Sequence, residues 1–209
     1  MRLDPDNNAA RAQLSQLLLL GGDPDEALIQ AEELIDRGGE PGHLLRAQAL
    51  DRLDRTDEAF TEYELAIAAT PDESAPVAIY AQALSRHGDR EAAERTFRKL
   101  IEMAPSFSSQ TSLGAFIAQD RTRDEEAEQI FLDATRLAEA EEKVSAHQNV
   151  ASFYFQRERF DDATAYLEGV IPTVEKTIPL IYLLARLSAA QGNTDKPGEI
   201  LEVDLFRTI

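Results

Sequence analysis

The sequence predicts an all-α chain of stacked antiparallel helical hairpins, on three observations. A small residue returns at a near-constant interval, as Ala27, Ala59, Ala93, Ala127 and Ala163, with Pro197 where a sixth alanine would fall; the steps are 32, 34, 34, 36 and 34 residues. Around these landmarks apolar residues recur at helical spacing, as in Val77, Ala78, Tyr80, Ala81 and Leu84, then Ala93, Phe97, Leu100 and Ile101. Between two such stripes lies a short turn, as at His87-Gly88-Asp89, where the glycine can end one helix in the left-handed conformation and the aspartate can cap the next. A period of this length marks an array in which each unit buries its apolar face only against its neighbours.

Residues 1–7 come first, and Leu3-Asp4-Pro5 matches the closing turns at Thr70-Pro71 and Ala104-Pro105, so they read as the remnant of a preceding repeat. Repeat one, 8–39, places Leu14, Leu17 and Leu18 on its first helix and Ala27, Ala31 and Leu34 on its second. Asp23-Pro24-Asp25-Glu26 supplies a cap, a proline at the first helical position and an acid three residues after the cap, and Gly38-Gly39 is a stop. Repeat two, 40–73, carries Ala47, Leu50, Ala59, Tyr63, Ala66 and Pro71, with Arg46 at an otherwise apolar position, where a buried stem and a solvent-reaching head are expected.

Repeat three, 74–107, is the clearest unit. Small residues at its eighth and twentieth positions, an aromatic at the twenty-fourth and proline at the thirty-second resemble the tetratricopeptide repeat. Repeat four, 108–143, keeps the pattern in Ala127, Phe131 and Ala134, but Leu113-Gly114 fits only with one extra residue before Ala127, and its second helix is expected to run on through Glu142. Repeat five, 144–177, restores it with Ala151, Tyr154, Ala163, Leu167 and Val170 before Pro172. Repeat six, 178–209, has Leu184, Ala185 and a turn at Gly192-Asn193, after which Pro197-Gly198 predicts a short, frayed helix and the tail Leu205, Phe206 and Ile209. The whole is expected to form one continuous domain.

The resemblance implies a right-handed α-solenoid of about six such hairpins, the last degenerate, with the first helix of each lining a concave groove. It implies recognition of a protein or peptide, without catalysis and without a cofactor. At the ninth position, one that faces the groove in the family, stand Gln16, Gln48 and Gln82, then Ala115 or Phe116, Ser152 and Arg186. The glutamines read either as a ladder of amides that donate to and accept from an extended peptide backbone, or as ordinary solvent-facing helix residues. Arg86 joins them. In the C-terminal half Gln148, Asn149, Ser152, Phe155, Tyr182 and Arg186 fall on groove positions, with Phe155 and Tyr182 readable as binding anchors or as packing between repeats. One family subgroup clamps a C-terminal carboxylate with lysines and asparagines; Ala12, Gln16, Leu45, Ala75 and Ile79 stand at those positions here, which argues against such a clamp.

Composition narrows the classes. A net charge of -18 disfavours nucleic acid and anionic membranes as partners. The chain has no cysteine, so thiol chemistry and thiolate metal sites are excluded. No apolar run is long enough to span a membrane, and the start MRLDPDNN is not a signal peptide, so a soluble protein of cytoplasm or periplasm is expected, of bacterial type. His43, His87 and His147 lie in separate repeats without metal-ligand spacing. The acid pairs Asp57-Glu58, Glu125-Glu126 and Asp161-Asp162 sit where they complement a helix dipole, which accounts for them without catalysis. The leading expectation is a peptide-binding scaffold. The others are a self-assembling unit that stacks through open repeat ends into a homo-oligomer, and the repeat part of a larger envelope or export protein.

Overall fold

Every alanine of the ladder is sealed from solvent: Ala27, Ala59, Ala93, Ala127 and Ala163 are each 0% exposed. The reason is close helix contact, since the residue facing each of them is also small. In the computed structural model, which describes residues 7–175 and 177–192, the partners at the eighth position are Ser15, Ala47, Ala81, Gly114 and Ala151, all buried. Ser15 satisfies its hydroxyl by donating to the Ala27 carbonyl at 3.0 Å. A Cβ on Gly114 would lie 3.1 Å from the Phe131 ring and 3.2 Å from Ile130, so this helix approaches too closely for a larger residue to fit without a shift.

Among the described residues the helices are α1 (Asn8–Gly21), α2 (Pro24–Asp36), α3 (Gly42–Arg52), α4 (Thr56–Ala69), α5 (Ser74–Arg86), α6 (Arg90–Met103), α7 (Phe107–Ile117), α8 (Asp124–Leu137), α9 (Lys143–Gln156), α10 (Phe160–Val170) and α11 (Ile178–Ala190), with no strand. They pair as antiparallel hairpins, α1 with α2 through α9 with α10, and α11 packs on both α9 and α10. The chain divides into two compact units, Met1–Ala104 and Pro105–Ile209. In the first, α2 packs on α3 and α4 on α5; in the second, α8 packs on α9.

One turn geometry joins most hairpins. Gly22, Gly88 and Gly192 take positive φ at the same repeat position, and Asp54 (φ 59°) and Glu158 (φ 58°) do so without being glycine. After each of the first four turns in this set the next amide reaches back five residues, from Asp23 to Leu18, Arg55 to Leu50, Asp89 to Leu84 and Arg159 to Tyr154, at 2.9 to 3.1 Å. This closes the free carbonyls at the helix end. Two second helices start on an aspartate cap, Asp23 accepting from the Glu26 amide and Asp89 from the Ala92 amide, whereas α4, α8 and α10 start without a side-chain cap. The acid pairs Asp57-Glu58, Glu125-Glu126 and Asp161-Asp162 stand in first turns, as expected from the helix dipole.

The structure departs from expectation in three places beyond the extra residue of the fourth hairpin. That hairpin takes up the residue in a 3-10 turn, Arg121–Arg123, capped by the Asp120 carboxylate on the Thr122 amide. Its second helix stops at Leu137, because Ala138 turns extended and the Glu142 carboxylate accepts from the Glu139 amide at 3.0 Å to start a new turn. The Lys143 ammonium donates to the Thr135 carbonyl near the end of α8 at 2.8 Å. Leu17 is 64% exposed, and Ser15 and Leu19 are the buried residues of α1. Arg46, its side chain 30% exposed, departs only in that its head is engaged, one guanidinium nitrogen donating to Glu62 on α4 at 2.8 Å. Leu3-Asp4-Pro5, Asn193, Pro197-Gly198 and the apolar tail lie outside the described residues.

Candidate interaction grooves

Gln16, Gln48 and Gln82 come from α1, α3 and α5 and line one open cavity of about 730 Å3 in the first unit. They are there because each sits one residue after the small eighth position, which faces the hairpin partner, so the ninth turns to the open side of its helix. Leu19, Leu20 and Ile79 add apolar surface to the same cavity, and Leu20 is 79% exposed.

Asp51, Arg52, Asp54, Arg86 and His87 also line this cavity, and most of these groups are engaged within it. Arg86, at the end of α5, is ion-paired with Asp51 of α3, and His87 Nε2 lies 2.5 Å from the other Asp51 oxygen. Tyr63, fully buried on α4, donates its hydroxyl to Asp51 at 3.5 Å. Burial, then the Asp51 charge, push the Tyr63 hydroxyl well above the ordinary phenol range, so it remains a donor. Arg52 is occupied too, donating to the Leu19 carbonyl at the end of α1 at 3.3 Å. The cavity therefore offers amides and apolar side chains with its arginines already bound.

The second unit is built differently at the same repeat positions. Asn149 and Ser152 line a cavity of about 420 Å3 between α7 and α9, with Thr111, Ala115, Gln119 and Gln156 around them and Phe131 and Phe153 beneath. The register set by Gly114 makes Ala115 the ninth residue, and Phe116 is buried. Gln148 is half-buried on α9 and does not line this cavity. Phe155 packs edge-on against Phe160 of α10, with ring centroids 5.4 Å apart, and the Arg186 guanidinium lies 5.7 Å from its centroid. Tyr182, one turn before Arg186 on α11, is 59% exposed. The expected group of six thus separates into a cavity pair, Asn149 and Ser152, and a stacked pair, Phe155 and Arg186, with Tyr182 open to solvent.

The tetratricopeptide-repeat family model matches residues 78–107, which hold most of α5, all of α6 and the turn between them. Among solved structures, PilF from Pseudomonas aeruginosa is similar with a TM-score of 0.67 and 16% identity, over 95% of this chain and 91% of that one. Yeast Tom70 gives a TM-score of 0.69 at 16% identity, over 97% of this chain and 44% of the other. YrrB, described as a TPR protein with an unusual peptide-binding site, gives 0.54 at 14% identity, over 85% of this chain and 91% of that chain. No curated protein matches the chain by sequence.

The fold is that of the tetratricopeptide repeat.

Within it, three hairpins share a polar clip between residues 19 apart. Arg11 donates to Gln30 at 2.7 Å, His43 Nδ1 lies 2.8 Å from Glu62, and His147 Nδ1 lies 2.7 Å from the Tyr166 hydroxyl. Two of the histidines are thus hairpin fasteners, and the third, His87, joins neighbouring hairpins through Asp51. Burial, then nearby Lys143, push the His147 imidazole below its ordinary range, which suits a ring that accepts the tyrosine proton. Among the described residues no group of His, Asp and Glu is arranged to hold a metal, and no helix is long and apolar enough to cross a membrane.

Sequence reasoning passed over Asp51, Tyr63, Thr111, Gln119 and Gln156 as site residues. Gln119 and Gln156 stand at the thirteenth position, so the family frame would have found them. Asp51 carried no local signal, because its partner Arg86 is 35 residues away and meets it only once hairpins stack.

Proposed function

We propose that the protein is a non-enzymatic interaction module whose first unit binds an extended, uncharged peptide segment in the glutamine-lined groove. The observation that carries this reading is the convergence of Gln16, Gln48 and Gln82 on one cavity whose arginines are already held, Arg86 by Asp51 and Arg52 by a backbone carbonyl. Primary amides both donate and accept, so a row of them can satisfy a peptide backbone whatever its side chains, while Leu20 and Ile79 add apolar contact. An acidic terminus gains little here, because each cation would first have to release its present partner. The peptide-binding site ascribed to the structurally similar YrrB agrees with this reading.

The test is selection of a random-peptide library on the full chain, repeated on the Gln16→Ala, Gln48→Ala, Gln82→Ala variant. Loss of the enriched peptides at unchanged melting temperature supports the groove. Equal enrichment by both proteins removes it.

A second reading, self-association through the end of the array, has one observation in its favour. Leu17 is 64% exposed at a repeat position where Ala49, Ala83, Phe116, Phe153 and Leu187 are all buried. Light scattering over a concentration series, on the wild type and on Leu17→Glu, separates this from peptide binding.

A further inference from the structure

The cavity between α7 and α9 differs from the glutamine groove in a way that names its ligand. None of its lining residues, Thr111, Ala115, Ala118, Gln119, Phe131, Asn149, Ser152, Phe153 and Gln156, carries a charge, in a chain where 29% of residues do. The hollow exists because alanine and serine, Ala115 and Ser152, occupy the ninth position that holds Gln16, Gln48 and Gln82 in the first unit. Without that long side chain the hollow reaches down to the buried Phe131 and Phe153 rings, 7% and 3% exposed, whose centroids lie 5.5 Å apart.

The cation that touches two of the lining residues, Phe153 and Ala118, is committed elsewhere. Arg157 stacks on Phe153, 4.9 Å from its centroid, while Asp124 accepts from its Nε at 2.7 and 2.8 Å and the Ala118 carbonyl accepts from its Nη2. A charged group entering the hollow would lose water and meet no free counter-charge, which is costly. An aliphatic or aromatic side chain would rest on this apolar floor, with Asn149 and Gln156 able to bond its flanking backbone. Thr111 has a hydroxyl with no partner in the free protein. A volume of about 420 Å3 is within the usual range for such sites, roughly 300–1,000 Å3.

We infer that the α7–α9 hollow is a separate subsite that takes one uncharged aliphatic or aromatic side chain, with its adjoining backbone, from a bound peptide. This rests on the reading of the protein as a peptide binder. It commits a different site to a narrower ligand, an apolar residue where the first groove takes backbone.

The probes are acetylated and amidated Gly/Ser heptapeptides with a single central Leu, Phe, Lys or Glu, titrated into the full chain and followed by amide and methyl NMR shifts. The Leu and Phe peptides are expected to shift Thr111, Ala115 and Ser152, and the Lys and Glu peptides to leave them in place. Ala115→Glu, on an exposed position, and Ser152→Gln, which restores the first unit's residue, should each weaken that response about tenfold or more. Shifts at Gln16, Gln48 and Gln82 should persist in both variants. Charged peptides that shift the hollow equally, or an Ala115→Glu protein that responds like wild type, overturn the subsite. Responses confined to the three glutamines overturn it while sparing the first groove, and silence at both sites overturns the peptide-binding reading as well.

Discussion

The two units share a scaffold and differ in what they leave open. Ala93 in the first and Ala163 in the second are equally sealed, and the small residues facing them, Ala81 and Ala151, are 0% exposed. At the ninth position, by contrast, the first unit keeps glutamine three times and the second has Ala115, Ser152 and Arg186. At the twelfth, the first unit has Asp51 locked to Arg86, and the second has Phe155 packed edge-on against Phe160. The contact between paired helices therefore tolerates almost no variation, while one residue further round the helix the chemistry changes from amide and ion pair to aromatic. Binding preference in this fold can change without touching what holds it together.

The comparison is open to breaking, first at its constant part. Ala93→Leu and Ala163→Leu each force three extra heavy atoms into a sealed contact and should destabilise by roughly 1–3 kcal/mol. Urea unfolding measures this; an unchanged midpoint in either variant would mean that the two units do not share the packing described. Next comes Asp51→Ala, which strips the acceptor from Arg86, His87 and Tyr63 around a carboxylate only 9% exposed. A loss of about 1–2 kcal/mol is expected, tempered because Arg86 is itself half exposed. Peptides selected by this variant should turn acidic, since the freed cations then face the groove. Selection of the same neutral peptides as wild type would show that the ion pair does not set the charge preference.

Smaller effects sharpen the contrast between the turns. Glu158→Gly should stabilise by roughly 0.5–1 kcal/mol, because a glutamate at φ 58° carries a Cβ in the left-handed region, and Asp54→Gly should gain less, since aspartate tolerates that region better. Thermal melts of the two variants rank them, and equal gains would remove the distinction. Smallest is the pH response of His147. Its folded imidazole titrates below the ordinary value, so the unfolded chain binds more protons in between, and stability held at neutral pH falls as pH drops through that window. Melting from pH 7.5 to about 5.5 should cost the wild type more than His147→Gln; equal losses would return the clip to a purely structural role.

Much of this was legible before any coordinates. The alanine landmarks, the glycines at 22 and 88, and the caps at Asp23 and Asp89 all act through neighbours a few residues away, so a local reading finds them. Asp54 and Glu158 hold the same left-handed turn without glycine, held by the packing of their hairpins, and no residue type announces that. The stop at Leu137 depends on the Glu142 side chain turning back to Glu139, which composition alone reads as more helix. The division of Phe155 from Tyr182 rests on Phe160, a residue of the next helix that helical spacing places on no shared stripe.

The 19-residue clips bear on how such proteins could be cut and rejoined. Arg11 with Gln30, His43 with Glu62 and His147 with Tyr166 are three solutions to one contact. A chimaera joined between hairpins keeps every clip whole. One joined at a hairpin turn re-pairs the clip, and Arg11 set against Tyr166, for example, trades the Gln30 amide oxygen for a phenol oxygen, a poorer acceptor. Shuffling libraries from this chain should therefore yield folded products mainly from crossovers between hairpins, making the hairpin, and not the helix, the unit of exchange.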